Sequence, residues 1–544
     1  MASFLRHPIR QILPAEVGLK IHRSVNFSVV TYMEIELKLL LAPADVAAFR
    51  RHPLVKQHAI TKPRQQQLTS VYFDTPDLHF RQHEAALRVR LVGRNWIQTL
   101  KAGSEVAAGL HQRQEWESRV PGPRPDLVAL STLLGRDSVW AKALTAQALA
   151  DRLMPVFTTR FRRTVWQLRL PRGAEVELAL DQGEVQHDAT QVPISEIELE
   201  LKSGDPGELF DFALALQEAV PLRAGNISKA ERGYALYAPQ PPAVIKAARI
   251  DLPTGLTVEQ GFQAIVANCL AQIQGNEVGV SQGSDPESVH QMRVGLRRLR
   301  AALGLWRKIT GCPDALQEEF SWLSKELSAA RDWEAFASGT LDKVIASCPE
   351  ESGLALLQQT AFHVAGKNRQ KAAASVSSVR YARLLLSFGG WMQGAHWRDT
   401  LDQTGRDALA TPLATFAKQT LVHRHRTLKH RGKKLKDGTA ATRHSIRLAA
   451  KKLRYATEFF ESLYPAKRVQ PYVLALTSLQ DALGWLNDVS VGDGLLKHLA
   501  QTFPDLAHSA GFARGYLLVS TERDVHKLGK LWQRFAALKP AGKP

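Results

Sequence analysis

The chain has 544 residues, which is too long for a single ordinary hydrophobic core, so two or more domains are expected. Its 44% hydrophobic and 23% charged residues are typical of a water-soluble globular protein. The sequence contains no run of about 18 apolar residues that would cross a membrane and no apolar stretch typical of a signal peptide. Three cysteines without metal-ligand spacing favour a reducing compartment. We therefore predict a cytoplasmic protein with no membrane partner.

The formal net charge of +19 is unevenly distributed along the chain. Residues 245–544 hold 41 Lys and Arg against 26 Asp and Glu, whereas residues 1–244 hold 30 against 26. Such asymmetry favours a polyanionic partner for the C-terminal half: nucleic acid, an anionic membrane or polyphosphate. The alternative at this point is that the excess charge serves solubility alone.

Strand patterns dominate the region 33–237. Short segments of alternating polar and apolar residues, such as ALRVRLVG and AEVELAL, are separated by turn residues. Many short strands at this spacing favour an antiparallel barrel or sandwich. A Pro-rich stretch at 238–254 is predicted to be a linker. In 255–540, apolar residues recur every three or four positions, which predicts an all-helical domain. The expected fold class is therefore α+β with two domains.

Several predicted strands carry charged residues on one face and apolar residues on the other. Because residues i, i+2 and i+4 of a strand share a face, Glu34, Glu36 and Lys38 point the same way. The run from Glu196 to Lys202, EIELELK, repeats this arrangement. A single such face is ordinarily solvated, but in a closed barrel these faces would meet inside. Buried carboxylates require cations, and oxygen ligands suit Mg²⁺ or Mn²⁺, while Arg and Lys would hold phosphate oxygens.

The ordered motifs of this region resemble the CYTH family, the triphosphate tunnel metalloenzymes. The ExExK signature stands at Glu34–Lys38, followed in order by YFDT, LRVR, TLK, RQEWE, RRTVW, ALDQGEV, EIELELKSG and SKAERG. The resemblance covers about residues 33–235. It implies an eight-stranded antiparallel β-barrel whose tunnel binds triphosphate with a divalent metal. We assign this domain to 33–237.

The same resemblance implies roles for individual residues. The expected metal ligands are the carboxylates of Glu34, Glu36, Asp181, Glu198 and Glu200. The expected triphosphate-binding residues are Lys38, Arg88, Arg90, Lys101, Arg163 and Lys229. The run of three acids leaves open whether Glu196 takes one of the ligand positions. Arg163 is preferred to Arg160 and Arg162 because it precedes Trp166 by three residues, as in similar sequences.

The signature begins directly after Met33, and residues 1–32 match nothing in the family pattern. We interpret residues 1–32 as an N-terminal extension that is either disordered or an upstream misreading of the start. N-terminal sequencing of the native protein would distinguish these two interpretations.

The helical half contains an internal repeat. HQMRVGLRRLRAAL from His290 matches HSIRLAAKKLRYAT from His444, and LSKELSAARD from Leu323 matches LQDALGWLND from Leu479. The offsets of 154 and 156 residues nearly agree, so we predict two duplicated helical halves. Each motif places basic residues on one broad helix face, where like charges destabilise the helix unless an anion binds.

Both repeats resemble the CHAD domain, the conserved-histidine α-helical domain, over about 255–535. In that family the basic helices are associated with inorganic polyphosphate. The implied polyphosphate-binding residues are His290, Arg293, Arg297, Arg298, Arg300, His444, Arg447, Lys451, Lys452 and Arg454. Asp332 and Asp488 are expected to orient the basic helices rather than to bind metal. The basic run His423–Lys436 either belongs to the same surface or forms an exposed helix end.

The leading functional hypothesis is hydrolysis of inorganic triphosphate to pyrophosphate and phosphate, with Mg²⁺ or Mn²⁺ as cofactor. The order of a CYTH and then a CHAD domain resembles that of bacterial inorganic triphosphatases. Alternatives that share the site are a thiamine triphosphatase and a class IV adenylate cyclase. A third alternative is a non-enzymatic protein that binds or targets polyphosphate, although anion binding alone gains nothing from a set of carboxylates. No specific nucleic-acid partner is expected.

Overall fold

The computed structural model describes residues 31–135, 138–394, 396–437 and 439–540. The interpretation of the N-terminal extension therefore falls outside the described residues, apart from its last two positions. Contacts along the chain separate two compact units, which divide between Pro241 and Pro242, inside the predicted linker. The first unit also includes Ser378–His396, a segment from within the sequence range predicted for the helical domain.

The strands of the first unit pair, for the most part, with a strand that is adjacent to them in the sequence. They are β1 (Thr31–Leu41), β2 (Arg64–Asp74), β3 (Ala85–Val92), β4 (Asn95–Ala107), β5 (Leu110–Val120), β6 (Met154–Arg169), β7 (Glu175–His187), β8 (Thr190–Ser203) and β9 (Leu222–Ala224). The sheet order is β5-β4-β3-β2-β6-β7-β8-β1-β9, and every pairing is antiparallel. Because β1 pairs with β8 along one edge and with β5 along the other, the first eight strands close into a barrel. This confirms the predicted eight-stranded antiparallel barrel.

Short helices connect and cover the strands. They are α1 (Val46–Arg50), α2 (Pro53–His58), α3 (His79–Gln82), α4 (Leu127–Ser131), α5 (Val139–Leu144), α6 (Gln147–Ala150), α7 (Gly207–Gln217) and α8 (Lys229–Tyr237). The outward faces of the strands pack against helices; Leu37, Leu39 and Phe210 all lie in one such buried cluster. With the apolar residues outside, strand alternation turns the charged residues of β1 and β8 into the barrel.

The barrel interior is apolar beside α8 and charged elsewhere. Tyr72, Phe157, Phe161 and Tyr234 belong to one buried cluster. Tyr72 and Phe157 stack with ring centroids 4.5 Å apart, and a Cβ at Gly233 would lie 2.0 Å from the Phe157 ring. This close packing seats α8 on the barrel and holds the residues at its N-terminus near the charged interior.

The helices of the C-terminal half include several longer than 20 residues. They are α9 (Val258–Gln274), α10 (Glu277–Ser281), α11 (Pro286–Thr310), α12 (Asp314–Ala335), α13 (Leu341–Ser347), α14 (Gly353–Val376), α15 (Val379–Gln393), α16 (His396–Asp399), α17 (Gln403–Ala410), α18 (Leu413–Gly432), α19 (Ala440–Phe460), α20 (Ala466–Thr502) and α21 (Ala507–Ala537). No helix among the described residues is long and apolar enough to cross a membrane.

Within the second unit, the helix contacts follow the predicted duplication. In the first repeat α11 packs against α9 and α12, and α12 packs against α14. In the second, α19 packs against α18 and α20, and α20 packs against α21. Contacts between α11 and α19 join the two repeats. These are the two helices that carry the repeated basic motifs.

The helix α15 belongs to the barrel unit rather than to the repeats. It packs against α7 and β9, and its Leu386 is fully buried in the same cluster as Phe210. A Cβ at Gly389 would lie 2.4 Å from the Phe210 ring, so the helix approaches α7 closely. Helical periodicity alone does not reveal which core a helix joins. The predicted helical domain, 255–540, therefore includes this segment, whereas the structure places it in the barrel unit.

Candidate functional site

The first strand presents its charged face to the barrel interior. Glu34, Glu36 and Lys38 are all buried, with at most 6% of each residue exposed. In the strand register Glu34 lies opposite Arg113 of β5, and Lys38 lies opposite Glu198 of β8. Glu34 and Lys38 therefore each face an opposite charge on a neighbouring strand, whereas Glu36 lies opposite His111 of β5 and Glu200 of β8.

Three carboxylates from β7 and β8 form an acidic cluster inside the barrel. We use this name for Asp181, Glu196 and Glu198, whose nearest oxygens all lie within 4.8 Å of one another. The Lys38 ammonium lies 2.6 Å from Glu198 and 3.1 Å from Glu196. The Lys229 ammonium, at the N-terminus of α8, lies within 2.7 Å of all three carboxylates.

Two arginines complete the partners of the acidic cluster. The Arg163 guanidinium donates two hydrogen bonds to Asp181, at 2.8 and 2.7 Å, and also contacts Glu198. Arg232 of α8 pairs with Glu196. Burial raises the pKa of Glu198, but Lys229, Lys38 and Arg163 outweigh it and hold that pKa well below its ordinary value. Glu198 is therefore ionised in the barrel at neutral pH.

A second group of charges lies on β1, β3, β4 and β5. The Lys101 ammonium lies 2.7 Å from Glu34 and 2.9 Å from Glu115. Arg113 lies 3.3 Å from Glu34, and Arg88 lies 3.6 Å from Glu115. These carboxylates and cations pair between neighbouring strands and between strands two apart, and they point into the same interior.

Arg90 differs from the other interior cations. Its Nε donates to the Ser70 hydroxyl at 2.9 Å, and among the described residues no carboxylate lies within ion-pair distance. Burial, Arg88 and Arg163 lower the pKa of Arg90 to about 9. A buried arginine beside other cations is stabilised when an anion binds next to it. Arg90 is thus positioned to contact an anionic ligand.

In the second unit, the motif helices α11 and α19 bring basic residues together. We call Arg293, Arg297, Arg447, Lys451 and Arg454 the inter-repeat cluster. Burial, together with all four arginines, lowers the pKa of Lys451 to about 7. Burial also lowers the pKa of Arg297 and of Arg447. The cluster therefore carries strong mutual repulsion.

Several polar atoms of this region are buried without a hydrogen-bond partner in the described structure. They are the Nε atoms of Arg297, Arg447 and Arg454, Nδ1 of His290 and the hydroxyl of Tyr455. Acidic partners are few: Arg293 pairs with Asp332 at 2.8 Å, and Arg454 pairs with Glu458 at 3.3 Å. Buried donors that lack partners are unfavourable unless a ligand or water accepts from them.

Comparison with known proteins identifies both units. Residues 33–234 match the model of the CYTH domain, and residues 264–497 match that of the CHAD domain. The chain contains a CYTH domain and a CHAD domain. The crystal structure of the CHAD domain from the plant Ricinus communis is 39% identical to this chain, with a TM-score of 0.50. That match covers 55% of this chain and 98% of the plant domain.

A curated relative matches over part of its length. The inorganic triphosphatase of Haemophilus influenzae is 31% identical over 212 residues, a match that covers 39% of this chain. The chain matches 57% of the length of that enzyme. Both family identifications agree with the resemblances that the ordered motifs indicated.

The CYTH barrel brings together the site residues predicted from the motifs, but its geometry ranks two of the candidate metal ligands differently. Glu196 lies in the acidic cluster, whereas Glu200 lies outside it and its side chain, 18% exposed, contacts Lys202 at 2.5 Å. Burial raises the pKa of Glu200. The geometry thus favours Glu196 over Glu200 as the partner of Asp181 and Glu198.

The donor set fits a hard divalent cation such as Mg²⁺ or Mn²⁺. Carboxylate oxygens are the ligands that these ions prefer. Glu36 Oε1 is buried and accepts no hydrogen bond from any described residue, although the Lys38 ammonium lies 3.2 Å away. An unsatisfied carboxylate oxygen beside a cluster of acids is available for a metal ion.

Sequence reasoning left four interior residues out of the candidate site: Arg113, Glu115, Arg232 and His111. Arg113 and Glu115 share a strand face in RQEWE, so alternation was the available signal. Arg232 follows Lys229 by three residues on α8, which is one helical turn. His111 shares its strand face with Arg113, but a single histidine carries little information without the fold.

In the CHAD domain, the predicted polyphosphate-binding residues do not all lie in the inter-repeat cluster. Arg298 is buried and donates to Gln272 at 2.9 Å and to Asn268 at 2.8 Å, so it joins α11 to α9. Lys452 is an exposed residue. Partial burial of its ammonium, together with Arg424 and Arg431 of α18, lowers its pKa. This places Lys452 beside the basic run of α18, away from the inter-repeat cluster.

Two other predicted residues lie at the edge of the cluster. Arg300 is exposed and contacts the Ser324 hydroxyl at 3.4 Å, and His444 is exposed. Its repeat partner His290 is half-buried, and burial, followed by Arg331, lowers the pKa of His290 to about 4. The expected orienting role of Asp332 agrees with its ion pair to Arg293, while Arg331 and Tyr455 are additional residues of this region.

Proposed function

We propose that the CYTH barrel hydrolyses inorganic triphosphate to pyrophosphate and phosphate with Mg²⁺ or Mn²⁺, and that the CHAD domain binds inorganic polyphosphate. The observation that carries the first part is the barrel interior, where buried carboxylates lie among buried and half-buried cations. A replacement of buried ion pairs by apolar residues is often neutral or stabilising, so such an interior is poorly explained by stability. The 31% identity with an inorganic triphosphatase supports the same reaction.

In this proposal, the interior cations bind the phosphate chain and the carboxylates hold the metal. Arg90, Arg88 and Lys101 contact phosphate oxygens, and Arg163 and Lys229 hold those nearest the acidic cluster. Glu34, Glu36, Asp181, Glu196 and Glu198 are the residues that would hold the divalent ion. When bound, the ion neutralises phosphate charge and makes water a better nucleophile.

The reaction forms one bond and breaks another. A water oxygen bonds to a terminal phosphorus, the bond from that phosphorus to the bridging oxygen breaks, and pyrophosphate leaves. Charge spreads over the phosphoryl oxygens in a loose transition state, and fixed cations stabilise that charge. Arg90 suits this role because no carboxylate competes for its guanidinium among the described residues.

Polyphosphate binding by the CHAD domain is supported by the inter-repeat cluster. A chain of phosphates supplies many acceptor oxygens at short intervals, which matches the unpaired buried donors of Arg297 and Arg447. Asp332 and Glu458 each pair with one cluster member, so they hold those side chains in place. Within the described part of the chain, the inter-repeat cluster has no group of three carboxylates of the kind that metal-dependent hydrolysis would need.

A substrate panel tests the proposed reaction. Purified full-length protein is incubated with triphosphate, thiamine triphosphate or ATP, each with and without Mg²⁺, and phosphate release is measured. We expect metal-dependent release that is fastest from triphosphate. Faster turnover of thiamine triphosphate, or cyclic AMP formation from ATP, would replace this assignment with one of the alternatives.

A further inference from the structure

A buried histidine lies inside the barrel directly across from the metal signature. In the register of β1 and β5, His111 is paired with Glu36. Directly opposed residues of an antiparallel pair project to the same side with Cβ atoms about 5 Å apart. His111 shares its face with Arg113, and only 1% of the residue is exposed. Its imidazole therefore lies beside the Glu36 carboxylate in the barrel interior.

The orientation of the His111 ring is determined by one hydrogen bond. Its Nε2 lies 2.8 Å from the carbonyl oxygen of Gly225, which accepts, so Nε2 carries the proton. Gly225 in turn packs on the stem of Lys38, since a Cβ there would lie 2.9 Å from Lys38 Cγ. The neutral ring then leaves the lone pair of Nδ1 available.

Two acceptor atoms of this residue pair receive no hydrogen bond, although the Lys38 ammonium lies 3.2 Å from one of them, Glu36 Oε1, and Arg113 lies 3.9 Å from it. Nδ1 of His111 and Oε1 of Glu36 are both buried, and neither forms a hydrogen bond within the described part of the chain. Two adjacent acceptors cannot satisfy each other, because neither has a proton to donate. Lys38 offsets the cost of burying the Glu36 oxygen but forms no hydrogen bond with Nδ1 of His111, and a cation bound between the two atoms would satisfy both.

We propose that His111 Nδ1 and Glu36 Oε1 are ligands of one divalent ion, so that the barrel's metal site is a mixed nitrogen and oxygen site. The proposal rests on the proposed metal-dependent function and specifies its metal chemistry. A metal-binding histidine usually donates its second ring N–H to a carbonyl or carboxylate, as His111 does to Gly225.

The proposal explains how the site exchanges a lysine for a metal ion. The Lys38 ammonium lies 3.2 Å from Glu36 Oε1, but its closer partners are Glu198 and Glu196. It therefore keeps two carboxylates when the ion takes its place against Glu36. An imidazole ligand favours Mn²⁺ over Mg²⁺, since Mg²⁺ prefers oxygen ligands throughout.

The test is pulsed electron paramagnetic resonance of the full-length protein loaded with Mn²⁺ at one equivalent. We expect electron spin echo modulation from a directly bound ¹⁴N nucleus, which changes to the ¹⁵N pattern when histidine is labelled with ¹⁵N. This measurement uses the wild-type chain and does not depend on the folding of a variant. A bound Mn²⁺ signal with no nitrogen modulation would overturn the proposal.

Variants identify which histidine supplies the nitrogen. His111→Gln should abolish the modulation and raise the Kd for Mn²⁺ about tenfold, with a change of less than about threefold for Mg²⁺. His58→Gln is the matched control, because His58 packs outside the barrel against Phe212, and it should keep the modulation. Persistent modulation in His111→Gln would contradict the proposal.

The outcomes for the ligand and for the enzyme are separable. If wild-type protein hydrolyses triphosphate with bound Mn²⁺ but has no nitrogen modulation, the function stands and the histidine ligand is wrong. If Mn²⁺ binds with nitrogen modulation and triphosphate is not hydrolysed, the ligand assignment stands and the proposed reaction is wrong.

Discussion

One lysine from each domain, Lys38 and Lys451, shows the difference between the domains. Burial lowers the pKa of Lys38 in the barrel, but Glu196, Glu198 and Glu36 outweigh it and raise that pKa well above the ordinary value. Burial also lowers the pKa of Lys451 between the helical repeats, and the surrounding arginines lower it further, to about 7. The same side chain therefore has opposite shifts because its neighbours have opposite signs.

The comparison indicates different ligand chemistry. A mixed interior of acids and bases suits a metal ion together with an anion, which is the combination that the proposed hydrolysis of triphosphate would use. A cluster of like charges is stabilised by an anion alone. The barrel thus has the residues for a reaction, whereas the inter-repeat cluster has those for binding.

The largest expected effect comes from the barrel acids. Glu36→Gln should lower the rate of triphosphate hydrolysis by roughly a thousandfold, because the metal loses a ligand and its charge stabilisation. Phosphate release at saturating Mg²⁺ measures this, and polyphosphate binding should be unchanged. Asp188→Asn is the control, since that side chain is 88% exposed in a hairpin turn. A rate within tenfold of wild type would contradict the assignment of metal-dependent hydrolysis to the barrel.

The next effect concerns the interior arginine that has no acidic partner. Arg90→Ala should lower kcat/KM for triphosphate by about a hundredfold while Mn²⁺ binding stays unchanged, because Arg90 is proposed to bind phosphate and pairs with no carboxylate among the described residues. Arg90→Lys should recover part of the loss, since it restores the charge without the planar fork. Arg152→Ala, a change at an exposed ion pair, serves as the control.

A smaller effect is expected in the CHAD domain. The double change of Arg297→Ala and Arg447→Ala should weaken binding of long-chain polyphosphate by roughly tenfold to a hundredfold and reduce its salt dependence. Titrations of the full-length protein at several salt concentrations measure both. Lys497→Ala is the control, because Lys497 is exposed on α20 and pairs with Asp493. Loss of triphosphatase activity in the double variant would mean that the two sites are not independent.

The smallest effect is a pH dependence of polyphosphate binding. Because an anion stabilises the charged form of Lys451, its pKa rises on binding, so protons are taken up and affinity decreases as pH rises above about 7. We expect a decrease of about fivefold between pH 7 and 9, accompanied by proton uptake measured by calorimetry in buffers of different ionisation enthalpy. Lys451→Arg keeps its charge and should reduce the dependence. An equal dependence in that variant would assign it to another group.

Much of the barrel was predictable because strand alternation and motif order are local properties of the sequence. Glu34, Glu36 and Lys38 share a face in any strand, so their common orientation followed directly. The partners of that face were not predictable in the same way. Arg113 lies opposite Glu34 because β5 closes the barrel against β1, a contact between segments nearly 80 residues apart.

The helical half likewise has features that the sequence predicted and features that it did not. Its repeat was visible in the sequence, because duplicated motifs keep their spacing. The positions of neighbouring side chains could not be predicted from the sequence. Arg297 joins the inter-repeat cluster, whereas Arg298 donates a hydrogen bond to Gln272 in the core. Adjacent helical positions are separated by about 100°, so which of them faces the core depends on how α11 packs.

The sequence by itself determined the two domain types, the barrel, the helical repeat and the residue classes at each site. These depend on periodicity and motif order, which are local. The tertiary structure decided that Glu196 rather than Glu200 joins the acidic cluster, that α15 belongs to the barrel unit, and that His111 lies beside Glu36. Each of these depends on contacts between distant segments, which form only when the chain folds.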